Sequence, residues 1–497
     1  MHLAVQNLTN DALTINVQPA RSKFSIQRKG APSLQDLVLL PSLGAGASLP
    51  SARNVKVVLG HARPILDRLD SSFTSASTVD PKGADVKHFK LELAVPALGT
   101  SWKALEVPNE SPWRVYARRV SRKRYNLVVL GHRSLGSFLS QLPGTLPLSS
   151  LSLPGTHDTM AFHGWPISQC QSPSTQLSTQ LLGGIRVIDI RLAVIPPPRP
   201  GSDPTPTPDQ ELIAYHGLWP QKASFTGILQ DIYNFLTSPI GSKETVVMSI
   251  KQEDFVITPA PLFSKLVHET IARSAGGWDQ QSTVGVNKGM WFLENRIPTL
   301  GEVRGKVVML SRFGGNGAGW EGGLEGLGIH PTTWPDSEKA GFEWELKGTT
   351  VRTHDWYGIP SFWSIPEKVK LASDNLLVSA GNVKPILPFS YFSAASFPLA
   401  LPPVVAKGFG WPNWGLGVEG VNTRLGAWLL DRLGTSSNTE SNLSESEKVE
   451  SSNTIVEPRI RGWSMLDYYA EPGAGDIVPL LVECNFRGRQ AGEEGWL

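Results

Sequence analysis

Only two cysteines occur in 497 residues, Cys170 and Cys484. So sparse a pair makes neither a disulfide framework nor a metal-ligand spacing, and two reduced, buried thiols are the expected reading. That usage favours an intracellular protein. Long apolar runs are also missing. None approaches the roughly 20 residues a membrane-crossing helix needs, and the opening MHLAVQNLTNDALTINV is too polar for a secretory signal. The expected location is therefore the cytoplasm or a membrane surface. An excess of one charge is lacking too: 46 Lys and Arg stand against 44 Asp and Glu, and charged residues make up 18% of the chain. This balance offers no reason to expect a nucleic-acid partner or a basic surface for anionic lipid. Apart from His157 and His216, the histidines do not cluster at ligand spacing. No metal or other cofactor is expected, and a monomer is.

What is present divides the chain in two. Residues 1–135 hold short, often alternating apolar runs such as NVKVVLG, HFKLELAV, WRVYARRV and YNLVVLGH, broken by Gly, Pro, Ser and Asn. That texture predicts an all-β, sandwich-like domain. From residue 136 to 497 strand-like and helix-like segments alternate. GGIRVIDIRL, ETVVMSIKQE, KVVMLSRF, KPILPFSYFS and GWSMLDYYA read as strands; TGILQDIYNFLTS, LFSKLVHETIARS and GVNTRLGAWLLDRL read as helices. Repeated alternation predicts an α/β fold, a distorted (β/α)8 barrel. Three insertions interrupt it: the Pro-rich 196–208, the Gly-rich 314–328 and the Ser/Asn/Glu-rich 435–457, the last expected to be disordered.

Polar residues close the apolar strands. His157-Asp158 follow LSLPGT, and Asp189 and Arg191 share one face of VIDIR by strand alternation. His216 ends AYH, expected as the third barrel strand; Lys251 ends VVMSIK, Arg312 ends VVMLSR, Asp355 and Tyr357 lie in THDWYG, and Asp467 ends WSMLD. One such residue is weak evidence, but a full ring matches the rim where barrels collect active sites. Two imidazoles on that rim suit a base and an acid, the pairing that phosphodiester cleavage needs. A guanidinium suits phosphate.

The blocks SLPGTHDT, GGIRVIDIRL, AYHG, ETVVMSIKQE, GKVVMLSRF and GWSMLDYY, in that order, resemble the catalytic X domain of phosphatidylinositol-specific phospholipase C, of the bacterial, metal-independent type. The resemblance runs from about residue 149 to 483 and leaves out the first domain. It implies cleavage of phosphatidylinositol-type lipid to diacylglycerol and inositol 1,2-cyclic phosphate. His157 would be the general base, oriented by Asp467. His216 would be the general acid, supported by Asp158. Arg191 would stand against the phosphate in the place of calcium. Asp189, Lys251, Arg312, Asp355 and Tyr357 would be substrate-binding residues.

A lipid substrate asks for contact with a bilayer. Trp165, Trp411 and Trp414 sit in rim loops and are the candidates for insertion at the interface. Two other readings stay open. One is a metal-dependent phosphodiesterase on the same barrel, acting on glycerophosphodiesters or sphingolipids; it would need clustered acids where this chain has Asp189-Ile190-Arg191. The other is a non-catalytic lipid-binding barrel protein, which would be expected to lose a histidine or the arginine.

Overall fold

In a computed structural model the chain forms two compact units, Met1–Arg133 and Ser134–Leu497. The structure describes residues 2–9, 13–19, 37–39, 55–61, 90–94, 101–121, 124–199, 205–254, 256–278, 289–314, 327–379, 384–412, 416–434, 458–471, 476–489 and 495–496. The segment 435–457, most of the Gly-rich 314–328, part of the Pro-rich insertion and Trp414 lie outside them.

The first unit contains strands β1 His2–Asn7, β2 Leu13–Pro19, β3 Leu37–Leu39, β4 Val55–His61, β5 Lys90–Ala94, β6 Lys103–Leu105, β7 Trp113–Ser121 and β8 Arg124–Gly131. They make two four-stranded sheets, ordered β1-β8-β7-β6 and β3-β2-β4-β5. Alternation decides what they bury: Trp113, Val115 and Ala117 of β7 and Leu127 and Val129 of β8 point to one side. There they form one apolar cluster with Val5 and with Leu13, Leu59 and Leu91 of the other sheet.

The second unit opens its main sheet with β9 Ser152–Thr156. The further strands are β10 Val187–Ile195, β11 Glu211–His216, β12 Trp219–Ser224, β13 Thr245–Gln252, β14 Trp291–Phe292, β15 Lys306–Arg312, β16 Phe342–Leu346, β17 Thr349–His354, β18 Ile386–Tyr391, β19 Gly408–Trp411, β20 Leu416–Glu419 and β21 Gly462–Leu466. The order is β14-β15-β13-β10-β9-β21-β18-β17-β16, all parallel except β16. β9, β13, β15 and β21 are buried along almost their whole length, which is why they read as unbroken apolar runs. Helices α1 Leu177–Leu182, α2 Phe225–Thr237, α3 Ala260–Arg273, α4 Leu300–Val303, α5 Ile365–Asp374, α6 Pro402–Lys407, α7 Val421–Leu433 and α8 Ile477–Cys484 fill the connections, each burying an apolar stripe.

The sheet curls. Five strand steps separate β15 from β18, about 24 Å on a flat sheet at ~4.8 Å per step. Yet Arg312 at the end of β15 lies 2.9 Å from the hydroxyl of Tyr391 at the end of β18. A barrel-like curve accounts for this. Among the described residues no ladder joins β14 to β16, so the barrel is open on that side. One sequence expectation needs correction: His216 does not end a parallel barrel strand. β11 runs antiparallel to β10 and forms a hairpin with β12, off the main path. The Pro-rich insertion joins two antiparallel neighbours, so no crossover helix is required there.

Candidate active site

The site lies where the parallel strands end. β9 and β21 are paired so that Thr156 faces Leu466. The next residues, His157 and Asp467, therefore emerge side by side although they are far apart in sequence. The His157 amide donates to the Leu466 carbonyl at 3.0 Å, and Gln171 Nε2 donates to the carbonyls of both His157 and Leu466. His157 Nδ1 stands 2.9 Å from Asp467 Oδ1. With Nδ1–H donating to that carboxylate, Nε2 keeps its lone pair, and it faces Arg191 Nη2 at 2.7 Å. Burial and then the Arg191 charge push His157 well below the usual histidine value, so the ring is unprotonated at neutral pH. Burial and the nearby Asp158 push the Asp467 carboxyl up.

Asp158 turns back beneath the site with a left-handed φ of 43°, and its amide donates to Asp189 Oδ2. Its own Oδ2 lies 3.2 Å from His216 Nδ1 and 3.6 Å from Arg191 Nε. His216 Nδ1 also contacts the Ser168 carbonyl at 3.0 Å. Burial raises the Asp158 carboxyl to about 6, against the pull of His216 and Arg191. The two imidazoles stand edge to face, 6.5 Å between ring centres.

Arg191 is the hub. Nε meets Asp189 Oδ2 at 3.1 Å, Nη1 meets Glu253 Oε1 at 3.1 Å and Nη2 meets His157. Burial opposes its charge, but Asp189, Asp158 and Glu253 hold the guanidinium firmly ionised. Asp189 is fully buried and both its oxygens are in use: Oδ2 by Arg191 and the Asp158 amide, Oδ1 by Ser249 Oγ and Arg312. Burial works against this carboxylate, yet the Arg191 and Arg312 charges keep it well below the normal range. Asp189 therefore anchors the two arginines.

Lys251 borders this centre, 3.7 Å from Glu253, and the Arg191 charge followed by burial lowers its ammonium. Arg312 lies over the Trp334 ring at 3.9 Å and donates to Tyr391. Asp355 is buried and accepts from Trp334 Nε1 at 2.9 Å. Tyr357 is set apart: it is exposed, and its hydroxyl donates to Asp336, which raises it to about 12. Four contributors escaped the sequence reading. Tyr391 ends β18 and packs against the His157 ring at 6.1 Å; the rule that polar residues close strands would have found it. Glu253 lies two residues past Lys251. Cys170 sits with its Sγ 3.8 Å from His216 Nδ1, its thiol pushed up by burial. Lys368 of α5 is fully buried, and its Nζ has no hydrogen-bond partner. Only tertiary structure brings these last two to the site.

Two trios, His157–Cys170–Asp467 and Asp158–Cys170–His216, hold ligand-type atoms within 4.8 Å of one another. Both require the same Cys170, whose thiol burial keeps protonated. The acids that would suit a hard cation, Asp158, Asp189 and Glu253, converge instead on Arg191.

Around the rim, apolar side chains face outward. Trp165 is 62% exposed in the loop after β9, and Leu218 is 91% exposed in the β11–β12 turn, with Trp219 beside it. Trp363 is 74% exposed after β17 and stacks on Phe362, which in turn meets Phe409 of β19 at 5.1 Å. The side chain of Trp411 and the whole of Trp414 are outside the described residues. Among the described residues no helix is long and apolar enough to cross a membrane.

No family model matches the chain. Over 203 residues it is 31% identical to a 1-phosphatidylinositol phosphodiesterase of Listeria monocytogenes, a stretch covering 38% of this chain and 53% of that protein. The chain thus spans about half the length of the curated relative it matches. A solved phosphatidylinositol-specific phospholipase C from Staphylococcus aureus is 19% identical, with 71% of this chain and 98% of that one covered and a TM-score of 0.49. The Listeria monocytogenes phosphatidylinositol-specific phospholipase C structure is 22% identical, with 71% and 99% covered and a TM-score of 0.40. The barrel rests on its own strand order rather than on those scores, whereas the 31% identity agrees with the ordered motifs: the chain is similar to bacterial phosphatidylinositol-specific phospholipases C.

Proposed function

We propose that the second unit is a phosphodiesterase that cleaves phosphatidylinositol-type lipid by intramolecular phosphoryl transfer. The observation that carries this reading is one arginine set between two oriented imidazoles: Arg191 touches His157, which is held by Asp467, and lies beside Asp158, whose carboxylate stands 3.2 Å from the Nδ1 of His216, itself held by the Ser168 carbonyl.

In this reading the inositol 2-hydroxyl gives its proton to His157 Nε2. Its oxygen attacks the adjacent phosphorus, and the bond to the diacylglycerol oxygen breaks. His216, whose Nδ1 is committed to Ser168 and Asp158, returns a proton to the leaving oxygen through Nε2. The products are diacylglycerol and inositol 1,2-cyclic phosphate, with the proton now on His157 and lost from His216. The internal hydroxyl gains from proximity. Each imidazole contributes about 10²–10⁴-fold. The Asp467 carboxylate stabilises the imidazolium that forms on His157. The Arg191 fork meets the charge growing on the non-bridging oxygens. Asp189 and Glu253 hold that fork in place, so the arginine fills the role a calcium ion would otherwise take. In this reading Lys251, Arg312, Asp355, Tyr357 and Tyr391 are the groups that would meet the inositol hydroxyls.

The outward-facing Trp165, Trp219 and Trp363 support peripheral contact with a bilayer. The two sheets of the first unit, sharing one apolar cluster, support a small β-sandwich. Incubation with phosphatidylinositol and with other phospholipids, with and without chelator, followed by detection of the cyclic phosphate, tests the activity. The expected outcome is chelator-resistant product that His157→Ala abolishes. Product that vanishes with chelator, or persists at the parent rate in the variant, overturns the assignment.

A further inference from the structure

The catalytic centre contains one soft donor that the cleavage chemistry does not use. Cys170 Sγ belongs to both trios, His157–Cys170–Asp467 and Asp158–Cys170–His216. The trios are not equivalent. In the first, His157 Nδ1 and Asp467 Oδ1 already bond to each other at 2.9 Å. In the second, Asp158 is 1% exposed and its Oδ2 accepts no hydrogen bond among the described residues. His216 Nδ1 is held instead by the Ser168 carbonyl at 3.0 Å. A buried carboxylate oxygen left without a donor is costly, and a cation beside it removes that cost.

The spacing suits a particular ion. Zinc takes Cys, His and carboxylate ligands at about 2.3, 2.0–2.1 and 2.0–2.2 Å in a tetrahedron. Those bonds set a sulfur and a nitrogen ligand about 3.6 Å apart, and a nitrogen and an oxygen ligand about 3.4 Å apart. The structure has 3.8 Å from Cys170 Sγ to His216 Nδ1 and 3.2 Å from His216 Nδ1 to Asp158 Oδ2. Sulfur and imidazole nitrogen suit zinc, whereas calcium takes oxygen. Arg191 Nε, 3.6 Å from the same Asp158 oxygen, opposes a cation, but Asp189 and Glu253 offset its charge. His216, with 20% of its side chain exposed, gives the way in.

We propose that Asp158, Cys170 and His216 form a zinc site, and that zinc bound there switches the catalytic centre off. Binding stands on these three side chains; the switching rests on the cleavage reading above. As the S–Zn bond forms, the Cys170 thiol proton leaves to solvent. His216 keeps one proton on Nε2, and its Nδ1 exchanges the Ser168 carbonyl for the metal. With that lone pair taken, the ring cannot become the imidazolium that protonates the leaving oxygen. Removing the ion reverses each step.

The test titrates the chelator-treated full chain with Co²⁺, which reports a thiolate ligand by a sulfur-to-metal charge-transfer band, and then displaces it with Zn²⁺. One equivalent of cobalt should raise the band. Cys170→Ala and the closer-shaped Cys170→Ser, each shown to be folded by thermal melting, should lose it. They should bind zinc on the order of 100-fold more weakly or worse, since disturbing a ligand's support alone costs about 10–100-fold. Cys484→Ala removes the other thiol and should keep the band. So should His157→Ala, which lacks the proposed base but none of the three ligands. In turnover of a soluble inositol phosphodiester, equimolar zinc should stop the parent and chelator should restore it. A parent without the band, a folded Cys170 variant that keeps it, or a band lost with Cys484 or His157 would each overturn the site. A zinc-loaded parent that works at the metal-free rate would overturn the switch. A parent inactive even without metal would defeat the cleavage reading, while the band still decides the site.

Discussion

Replacing Arg191 by lysine keeps the positive charge and removes the fork. Arg191 uses three separate nitrogens on Asp189, Glu253 and His157, at 3.1, 3.1 and 2.7 Å. A lysine ammonium is a single point with a different reach, so it retains at most part of this set. The cost divides in two. Asp189 keeps Ser249, Arg312 and the Asp158 amide, so the loss of folding stability should stay near 1–3 kcal/mol, that of one weakened buried hydrogen bond. The chemical step loses a fixed donor aimed at developing charge, which costs about 2.7–4 kcal/mol, or 10²–10³ in kcat. The assay is steady-state turnover of a soluble inositol phosphodiester with a chromogenic leaving group, alongside thermal melting. The expected result is kcat down by two to three orders with a melting point only modestly lowered. A Lys variant within about threefold of the parent kcat, less than about 0.7 kcal/mol, would refute the idea that the geometry of the arginine, and not merely its charge, stabilises the transferring phosphate.

Protonation should also show itself. Asp158 titrates near 6, so activity should fall on the acid side as this carboxylate takes a proton and releases its hold on His216 and Arg191. Asp158→Asn should lower the rate and remove that limb from the kcat/KM profile; a variant that keeps the same limb assigns it elsewhere. Lys368 is fully buried, and its ammonium is lowered to about 7 by burial. Between pH 7 and 10.5 the unfolded chain holds a proton here that the folded chain has shed, so stability should rise with pH across that window. Lys368→Met should accordingly stabilise the fold by a few kcal/mol below pH 7, read from denaturant melts at pH 6 and 9; equal stability of parent and variant at both would refute it. Trp165→Ala with Trp363→Ala should weaken binding to phosphatidylcholine-rich vesicles while soluble-substrate turnover persists, and unchanged sedimentation would count against the rim contact.

The unbroken apolar strands and the polar residues closing them could be read along the chain because burial on both faces leaves a continuous signal. β9, β10, β13, β15, β18 and β21 were legible for that reason, and so were His157, Arg191 and Asp467 at their ends. The β11–β12 hairpin was not. An antiparallel excursion beside a parallel strand has the same local texture as the next barrel strand, so His216 was expected on the wrong kind of element. Asp189 shows a different limit. Alternation correctly put it on the face of Arg191, but whether an acid on that face meets a ligand or an arginine depends on Ser249 on the neighbouring strand and Arg312 two strands away in the sheet. Cys170 and Lys368 left no periodic signature, since a loop and a helix deliver them from outside the strand pattern.

The pairing of β9 with β21 has a consequence in time. His157 and Asp467 are separated by 310 residues. At about 5–20 residues per second, a ribosome spends roughly 15–60 s between translating the imidazole and translating the carboxylate it pairs with. For most of that interval the emerging polypeptide already carries His157, Asp158, Arg191 and His216, but β21 is not yet there to fill the gap between β9 and β18, so His157 lacks Asp467. Under the proposed mechanism, a nascent chain of this protein therefore has no oriented base until translation has passed the last barrel strand.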